Sequence, residues 1–117
     1  MENMSQNRSR FQNEKRRQPR LKVQIWAVEL NENSRYYHIL SNLSVGGFFI
    51  EKELPFSVGS IINFEMELDG EIISFKGKVI DNYVSADSNR PGAGVQFVDL
   101  DEKEKAKLNA YLNKLEK

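Results

Sequence analysis

The chain of 117 residues is long enough for one ordinary domain and too short for two cores of useful size. It has no cysteine, which excludes disulfide frameworks, thiolate metal sites and thiol nucleophiles, and His38 alone cannot supply a multi-histidine metal site. The formal charge is zero, but residues 1–20 hold six basic and two acidic groups, a balance of +4, and the remainder carries −4. A basic arm therefore precedes an acidic body.

Residues 1 to about 18 are polar and basic, which predicts an N-terminal arm that is mobile in isolation. Such a stretch buries too little apolar surface to offset an ordering entropy of ~1–2 kcal/mol per residue. The N-terminal charges are not followed by the apolar segment of a secretory signal. The longest apolar run, around residues 48–50, is far shorter than the ~20 residues of a membrane helix. We therefore expect a cytoplasmic protein that does not insert into a membrane.

From residue 21 the apolar period changes to two, as in Leu21, Val23 and Ile25, and this alternation predicts a first strand. Further strands are predicted at residues 36–40, 48–50, 62–68, 71 to about 83, and 94–98, with loops at 31–34, 55–59 and 87–92. Asp69-Gly70 is a signal for a type I′ hairpin turn. A two-residue turn there would place Leu68 opposite Glu71 and, further along, Met66 opposite Ile73 and Phe64 opposite Phe75.

The last part of the chain has the three- and four-residue apolar spacing of an amphipathic helix, predicted over about residues 101–116. Asp101 and Glu104 resemble a capping box at its start. Five or six short antiparallel strands followed by one helix indicate a small β-barrel or closed meander, with the helix over an open end or edge. We expect this all-β unit with its C-terminal helix to occupy residues 19–117, after the arm at residues 1–18.

The sequence contains no phosphate-binding loop, no dinucleotide fingerprint and no nucleophile elbow. Its hairpin carboxylates, Glu65, Glu67 and Glu71, are predicted to face solvent, where negative charge is ordinary surface. The residues therefore predict no catalytic site, no metal site and no cofactor, and we do not expect an enzyme.

Two clusters carry more information. Arg16-Arg17-Gln18-Pro19-Arg20 places guanidinium groups, which bind phosphate and the guanine edge in bidentate fashion, where the arm meets the first strand. Read alone, such a cluster is more often a solvated basic tail. The second cluster, residues 42–47 (Asn-Leu-Ser-Val-Gly-Gly), joins two predicted strands, and its glycines permit positive φ or close approach of a ligand. Read alone, it could be only a turn.

Taken together, Arg16-x-x-x-Arg20 and Asn42-x-Ser44-x-x-Gly47 resemble the motifs of the PilZ family, bacterial receptors for cyclic di-GMP. The aromatic run after Gly47 and the ending at residues 94–100, followed by an acidic helix start, are also similar to that family. The resemblance covers roughly residues 14–115.

The resemblance implies a six-stranded antiparallel barrel with a C-terminal helix that binds cyclic di-GMP on its outer surface. Arg16 and Arg20 would hold phosphate and guanine, while Asn42, Ser44 and Gly47 would receive the other guanine edge and the sugar–phosphate. The family more often has Asp at the position of Asn42. The additional ligand-binding candidates are Lys15, Arg17 and Gly46.

Ligand binding would order the arm, and an unidentified effector protein would read that change, with motility, adhesion or polysaccharide production as the implied outcomes. Two alternatives stay open: a PilZ-like adaptor that binds protein but no nucleotide, and a barrel that binds single-stranded nucleic acid through exposed Trp26, Tyr36, Tyr37 and phenylalanines. Because the body is acidic, we expect no nucleic-acid partner.

Overall fold

A computed structural model describes residues 21–116, which form six strands and one helix. The strands close into an antiparallel barrel in the order β1-β2-β3-β6-β5-β4. Their bounds are β1 Leu21–Asn31, β2 Ser34–Leu43, β3 Gly47–Glu51, β4 Ile61–Leu68, β5 Glu71–Val84 and β6 Pro91–Val98, and helix α1 spans Glu102–Glu116. The predicted fold class, an all-β barrel with one C-terminal helix, is confirmed.

The barrel interior is filled by alternate residues of the strands, as the period of two predicts. Phe64, Met66 and Ile73 are fully or almost fully buried there, and a buried side chain of this size contributes about 1.5–3 kcal/mol. Leu108 and Leu112 of α1 belong to the same cluster, so the helix packs on the barrel core. Within residues 21–116, no helix is long and apolar enough to span a membrane.

The β4–β5 hairpin has the predicted turn and register. Asp69 and Gly70 have φ values of 57° and 87°, the left-handed pair that a type I′ turn requires. Leu68 is paired with Glu71, Met66 with Ile73 and Phe64 with Phe75, as the two-residue turn predicts.

The start of α1 shows one half of the predicted capping box. The backbone N–H of Glu104 donates to Oδ1 of Asp101 at 2.9 Å. The reciprocal bond is absent among the described residues, where Oε1 of Glu104 is buried without a hydrogen-bond partner. Asp101 therefore caps the helix without a returned side-chain bond.

Most strands extend beyond their predicted ends, and β1 and β2 reduce the loop predicted at residues 31–34 to residues 32 and 33. β2 continues to Leu43 instead of ending at Leu40, because β1 and β3 flank it on both sides and pair with Asn42 and Leu43. β6 begins at Pro91, inside the predicted loop, and proline is tolerated at the first residue of a strand. Asn42 therefore lies in a strand and not, as predicted, in the connection between two strands.

Candidate functional site

An irregular pairing of the first three strands turns Asn42 towards the outside of the barrel. Ile25, Leu40 and Ile50 form one rung, and Lys22, Asn42 and Phe49 form another. Between these rungs β1 advances three residues, β2 two and β3 one. Regular alternation in β2 would give Asn42 the inward direction of Leu40, whereas a register irregularity re-aims a side chain.

The outer direction of this rung follows from its other members. Lys22 is exposed, and Phe49 is absent from the cluster that fills the barrel, although neighbouring Phe48 belongs to it. Directly opposed residues of antiparallel strands share one face. Phe49 is nevertheless fully buried, and the ring of Tyr83 packs on it with centroids 5.1 Å apart. An aromatic layer on the outside of the barrel therefore adjoins Asn42.

Asn42 is only 4% exposed, yet its Oδ1 has no hydrogen-bond partner among residues 21–116. A buried polar atom left without a partner costs about 1–3 kcal/mol. The amide oxygen is therefore an acceptor that the described part of the fold does not use.

Ser44 shapes the turn that follows. Its Oγ accepts hydrogen bonds from the backbone N–H groups of Gly46 at 3.2 Å and Gly47 at 3.3 Å. The backbone N–H of Ser44 in turn donates to the carbonyl oxygen of Gly47 at 2.9 Å. The hydroxyl thus holds residues 44–47 in one conformation, and we refer to these four residues as the Ser44 turn.

The close approach of β3 and β6 requires glycine at position 47. Its φ is not in the left-handed region, but a Cβ at this position would lie 2.1 Å from the carbonyl oxygen of Val95 in β6. The close approach expected at this glycine is therefore made by the backbone of the protein itself. Any larger residue at position 47 would push β3 and β6 apart.

The basic candidates Lys15, Arg16, Arg17 and Arg20 lie outside the described residues. The first described residue, Leu21, pairs with Leu43 of β2, one residue before the Ser44 turn. The chain therefore enters the barrel beside this turn, so Arg20 is bonded to a residue at the edge of the site.

Glu65 and His38, which the sequence offers as candidates for catalysis or metal binding, make ordinary ion-pair contacts. Glu65 forms an ion pair with Arg35 at 2.8 Å, and Nε2 of His38 lies 2.8 Å from Oε1 of Glu29. Among the described residues, no three side chains of the metal-binding types come together as a metal site.

The exposure of the aromatic residues agrees with the sequence prediction for the tryptophan and tyrosines and differs from it for the phenylalanines. Trp26, Tyr36 and Tyr37 are exposed, as expected, but Phe48 and Phe49 are buried and not available for stacking. Phe64 and Phe75 are also buried, as the predicted hairpin register requires. These phenylalanines pack in the barrel or beneath Tyr83, because burial of their rings stabilises the fold.

Sequence reasoning missed Lys22 and Phe49 as neighbours of Asn42. The sequence indicates these two residues only by their closeness in sequence to the two motifs. No local sequence pattern predicts the strand register that brings them beside Asn42. Lys22 forms no ion pair among the described residues and is an exposed cation at the site.

The closed antiparallel barrel, the helix that packs on its core and the serine-capped turn beside the start of β1 define a small β-barrel domain. The chain belongs to the PilZ domain family, whose sequence pattern it matches over residues 14–114.

Solved structures with this fold support the assignment of the architecture. YcgR from Escherichia coli in complex with c-di-GMP superposes with a TM-score of 0.72 at 19% identity, over 87% of this chain and 46% of YcgR. The PilZ domain of YcgR with c-di-GMP gives 0.68 at 18% identity, over 87% of this chain and 92% of that domain. The Bacillus subtilis Inhibitor of motility (MotI/DgrA) superposes with a TM-score of 0.71 at 16% identity, over 86% of this chain and 51% of the Inhibitor of motility.

The chain therefore spans about half the length of YcgR and of the Inhibitor of motility. At these identities the likeness establishes the fold. A comparison with curated protein sequences finds no significant match.

Proposed function

We propose that this protein is a receptor for cyclic di-GMP that binds the nucleotide between its arginine-bearing arm and the outer face around the Ser44 turn. The observation that carries the proposal is the pairing of Leu21 with Leu43. Because Arg20 precedes Leu21 and Ser44 follows Leu43, this pairing joins the two halves of the motif at one edge of the barrel.

The ligand chemistry suits these residues. Cyclic di-GMP presents two phosphates and two guanines, and a guanidinium group can serve either one through bidentate hydrogen bonds. Arg16 and Arg20 are the primary clamps of the proposal. Lys15 and Arg17 are additional cations, and Lys22 adds a positive charge on the strand that continues from the arm.

The barrel supplies the complementary polar groups. A guanine edge carries N–H donors, and Oδ1 of Asn42 is an acceptor without a partner among residues 21–116. Ser44 and Gly47 keep the turn in shape, while Gly46 contributes backbone beside it. The amide at position 42 replaces the carboxylate more common in the family and keeps the acceptor without adding negative charge near a dianion.

In this proposal the output is a change in the arm. Binding orders residues 10–20 against the barrel, and an effector protein recognises the ordered form. Family membership and the c-di-GMP complex of YcgR support a role in second-messenger signalling, and the Inhibitor of motility suggests motility as one pathway. We place this receptor in the bacterial cytoplasm.

Isothermal titration calorimetry of the full chain with cyclic di-GMP tests the proposal. GMP and a single-stranded oligonucleotide are titrated separately for comparison. We expect binding of cyclic di-GMP alone. Arg16→Ala and Arg20→Ala should each weaken it by about 1.5–3 kcal/mol, the usual worth of a hydrogen bond to a charged group. Arg10→Ala is the matched control, because it removes an arm charge outside the motif.

The outcomes separate the functional classes. Absence of heat with cyclic di-GMP up to tens of micromolar would contradict the receptor and leave the protein-binding adaptor, whereas preferential oligonucleotide binding would favour the nucleic-acid barrel. An NMR titration then tests the arm: residues 10–20 should gain order while residues 42–47 shift. Shifts at residues 42–47 with an unchanged arm would contradict the ordering step alone.

A further inference from the structure

A groove of about 450 Å³ opens on the outer face of the barrel, lined by residues of β1, β2, β4 and β5. Trp26 of its wall lies four residues along β1 from Lys22, a distance of about 13 Å at the rise of an extended strand. The groove is therefore near the candidate nucleotide site without including any of its residues.

The walls of the groove are apolar and exposed. Trp26, Tyr37 and Ile72 are 58%, 59% and 54% exposed, and buried Val28 and Met66 also contribute to its lining. The rings of Trp26 and Tyr37 meet edge to face, with centroids 6.3 Å apart and an angle of 83° between planes. Large apolar side chains that gather around a concavity mark an interaction surface, unlike scattered exposed residues.

The charges at the rim favour a cationic occupant. Arg35 is already held by Glu65 at 2.8 Å, and hydrogen bonding to Tyr37 together with the charge of Glu65 raises its pKa. Glu67 also lines the groove, is exposed, and has no ion pair among residues 21–116. The rim thus carries one uncompensated negative charge.

We propose that this groove binds a basic, apolar peptide segment of the effector protein. A lysine or arginine of the segment lies against the rings of Trp26 and Tyr37 and pairs with Glu67, and aliphatic side chains pack on Ile72. A ring face attracts a cation, and a carboxylate adds a charge-assisted hydrogen bond. The inference rests on the proposed function for the effector's role in signalling, while the chemistry of the groove is independent of the nucleotide.

Exposed aromatic rings also stack with nucleic-acid bases, but the charges argue against that occupant. Single-stranded nucleic acid needs a positive groove along its backbone. Here Glu65 neutralises Arg35, and Glu67 would repel phosphate. A basic peptide gains from the same carboxylate.

Trp26 is the only tryptophan of the chain, so its fluorescence reports on the groove directly. The test titrates the full chain with a peptide of leucine, alanine and arginine, and with a matched peptide that has glutamate in place of arginine. We expect a saturable blue shift of Trp26 emission with the basic peptide only. Glu67→Lys should weaken its binding about tenfold, and Glu53→Lys, a charge reversal at an exposed loop residue outside the groove, should leave it unchanged.

Equal binding of both peptides, an unchanged affinity in Glu67→Lys, or no response to either peptide would overturn the proposal. A preference for an oligonucleotide in the same assay would do so as well. The basic residues 1–20 are another possible occupant. If Arg8→Glu with Arg10→Glu in the full chain shifts Trp26 emission before peptide is added, the groove belongs to the chain's own arm.

Calorimetry with cyclic di-GMP on the Glu67→Lys variant keeps this inference separate from the proposed function. Retained nucleotide affinity with lost peptide binding supports both. An unchanged affinity for the basic peptide in a Glu67→Lys variant that binds the nucleotide normally would contradict only the groove.

Discussion

Lys22 and Asn42 lie directly opposite each other on the outer face of the barrel, one on β1 and the other on β2. This pairing brings an exposed cation beside a buried amide oxygen that has no partner among the described residues. A dianion with a guanine edge can use both groups, and Lys22 belongs to neither motif of the family.

We expect Lys22→Gln to weaken cyclic di-GMP binding by up to about fivefold, since an exposed charge pair contributes up to ~1 kcal/mol. The loss should shrink as salt is added, because screening already removes most of that attraction. Calorimetry at low and physiological salt measures both effects. Lys103→Gln removes an exposed cation of α1 as the control, and an equal loss in both variants would assign the effect to net charge.

Asn42→Ala should separate ligand binding from folding. The change removes an acceptor that has no partner in the described structure, so the free energy of unfolding should fall by less than about 1 kcal/mol. Nucleotide binding should weaken by about 1–3 kcal/mol, the worth of a specific polar contact. Chemical denaturation and calorimetry measure the two quantities.

Asn82→Ala is the matched control for Asn42→Ala. Its side chain accepts from the backbone N–H of Phe56 at 3.0 Å and donates to the Phe56 carbonyl at 2.9 Å. Loss of these two bonds should lower the free energy of unfolding by about 1–3 kcal/mol and leave binding intact. The reverse pattern, with stability lost at Asn42 and binding lost at Asn82, would contradict the placement of the site.

Gly47→Val should unfold or strongly destabilise the protein before any ligand is considered, because its Cβ would collide with the Val95 carbonyl oxygen. Ser44→Ala should lower the free energy of unfolding by about 1–3 kcal/mol, because two backbone N–H groups of the turn lose their acceptor. Thermal unfolding without ligand provides the comparison, with Val45→Ala in the same turn as the control. A fully stable Gly47→Val variant that fails only to bind nucleotide would assign this glycine to the ligand instead.

Gly70→Ala should lower the free energy of unfolding by about 1–2 kcal/mol, because alanine must adopt a left-handed conformation at φ 87°. Nucleotide affinity should stay unchanged, since the turn belongs to β4 and β5 and not to the Ser44 turn. Asp69→Asn is the control: asparagine tolerates the left-handed conformation, and only an exposed ion pair with Lys114 is removed. A Gly70→Ala variant as stable as the parent would contradict the type I′ turn.

Much of the fold could be predicted from the sequence. The alternation in β4 and the Asp69-Gly70 signal together predict a hairpin in which Phe64 opposes Phe75, and the structure has this register. This succeeds because neighbouring strands joined by two residues leave little freedom in their pairing. Local composition predicts β2 and β6 shorter than they are in the structure. Pairing with strands that are distant in sequence decides where each strand ends, and local composition does not contain that information.

For the site, the family motif indicates Asn42, Ser44 and Gly47, and the structure adds the contacts that two of them make within the fold. Gly47 avoids the backbone of β6, and Ser44 binds its own turn. Both facts depend on contacts that form only when the strands have assembled.

By itself the sequence determined the basic charge of residues 1–20, the acidic charge of the remainder, the register of one hairpin and the match to the family motifs. Charge, periodicity and turn chemistry are local properties of the chain. Only the tertiary structure decided that Asn42 faces outward, that Lys22 stands opposite it, and that Trp26 and Tyr37 share a groove with Glu67. The physical reason is the closure of the barrel, which fixes register and places residues from separate strands side by side on one surface.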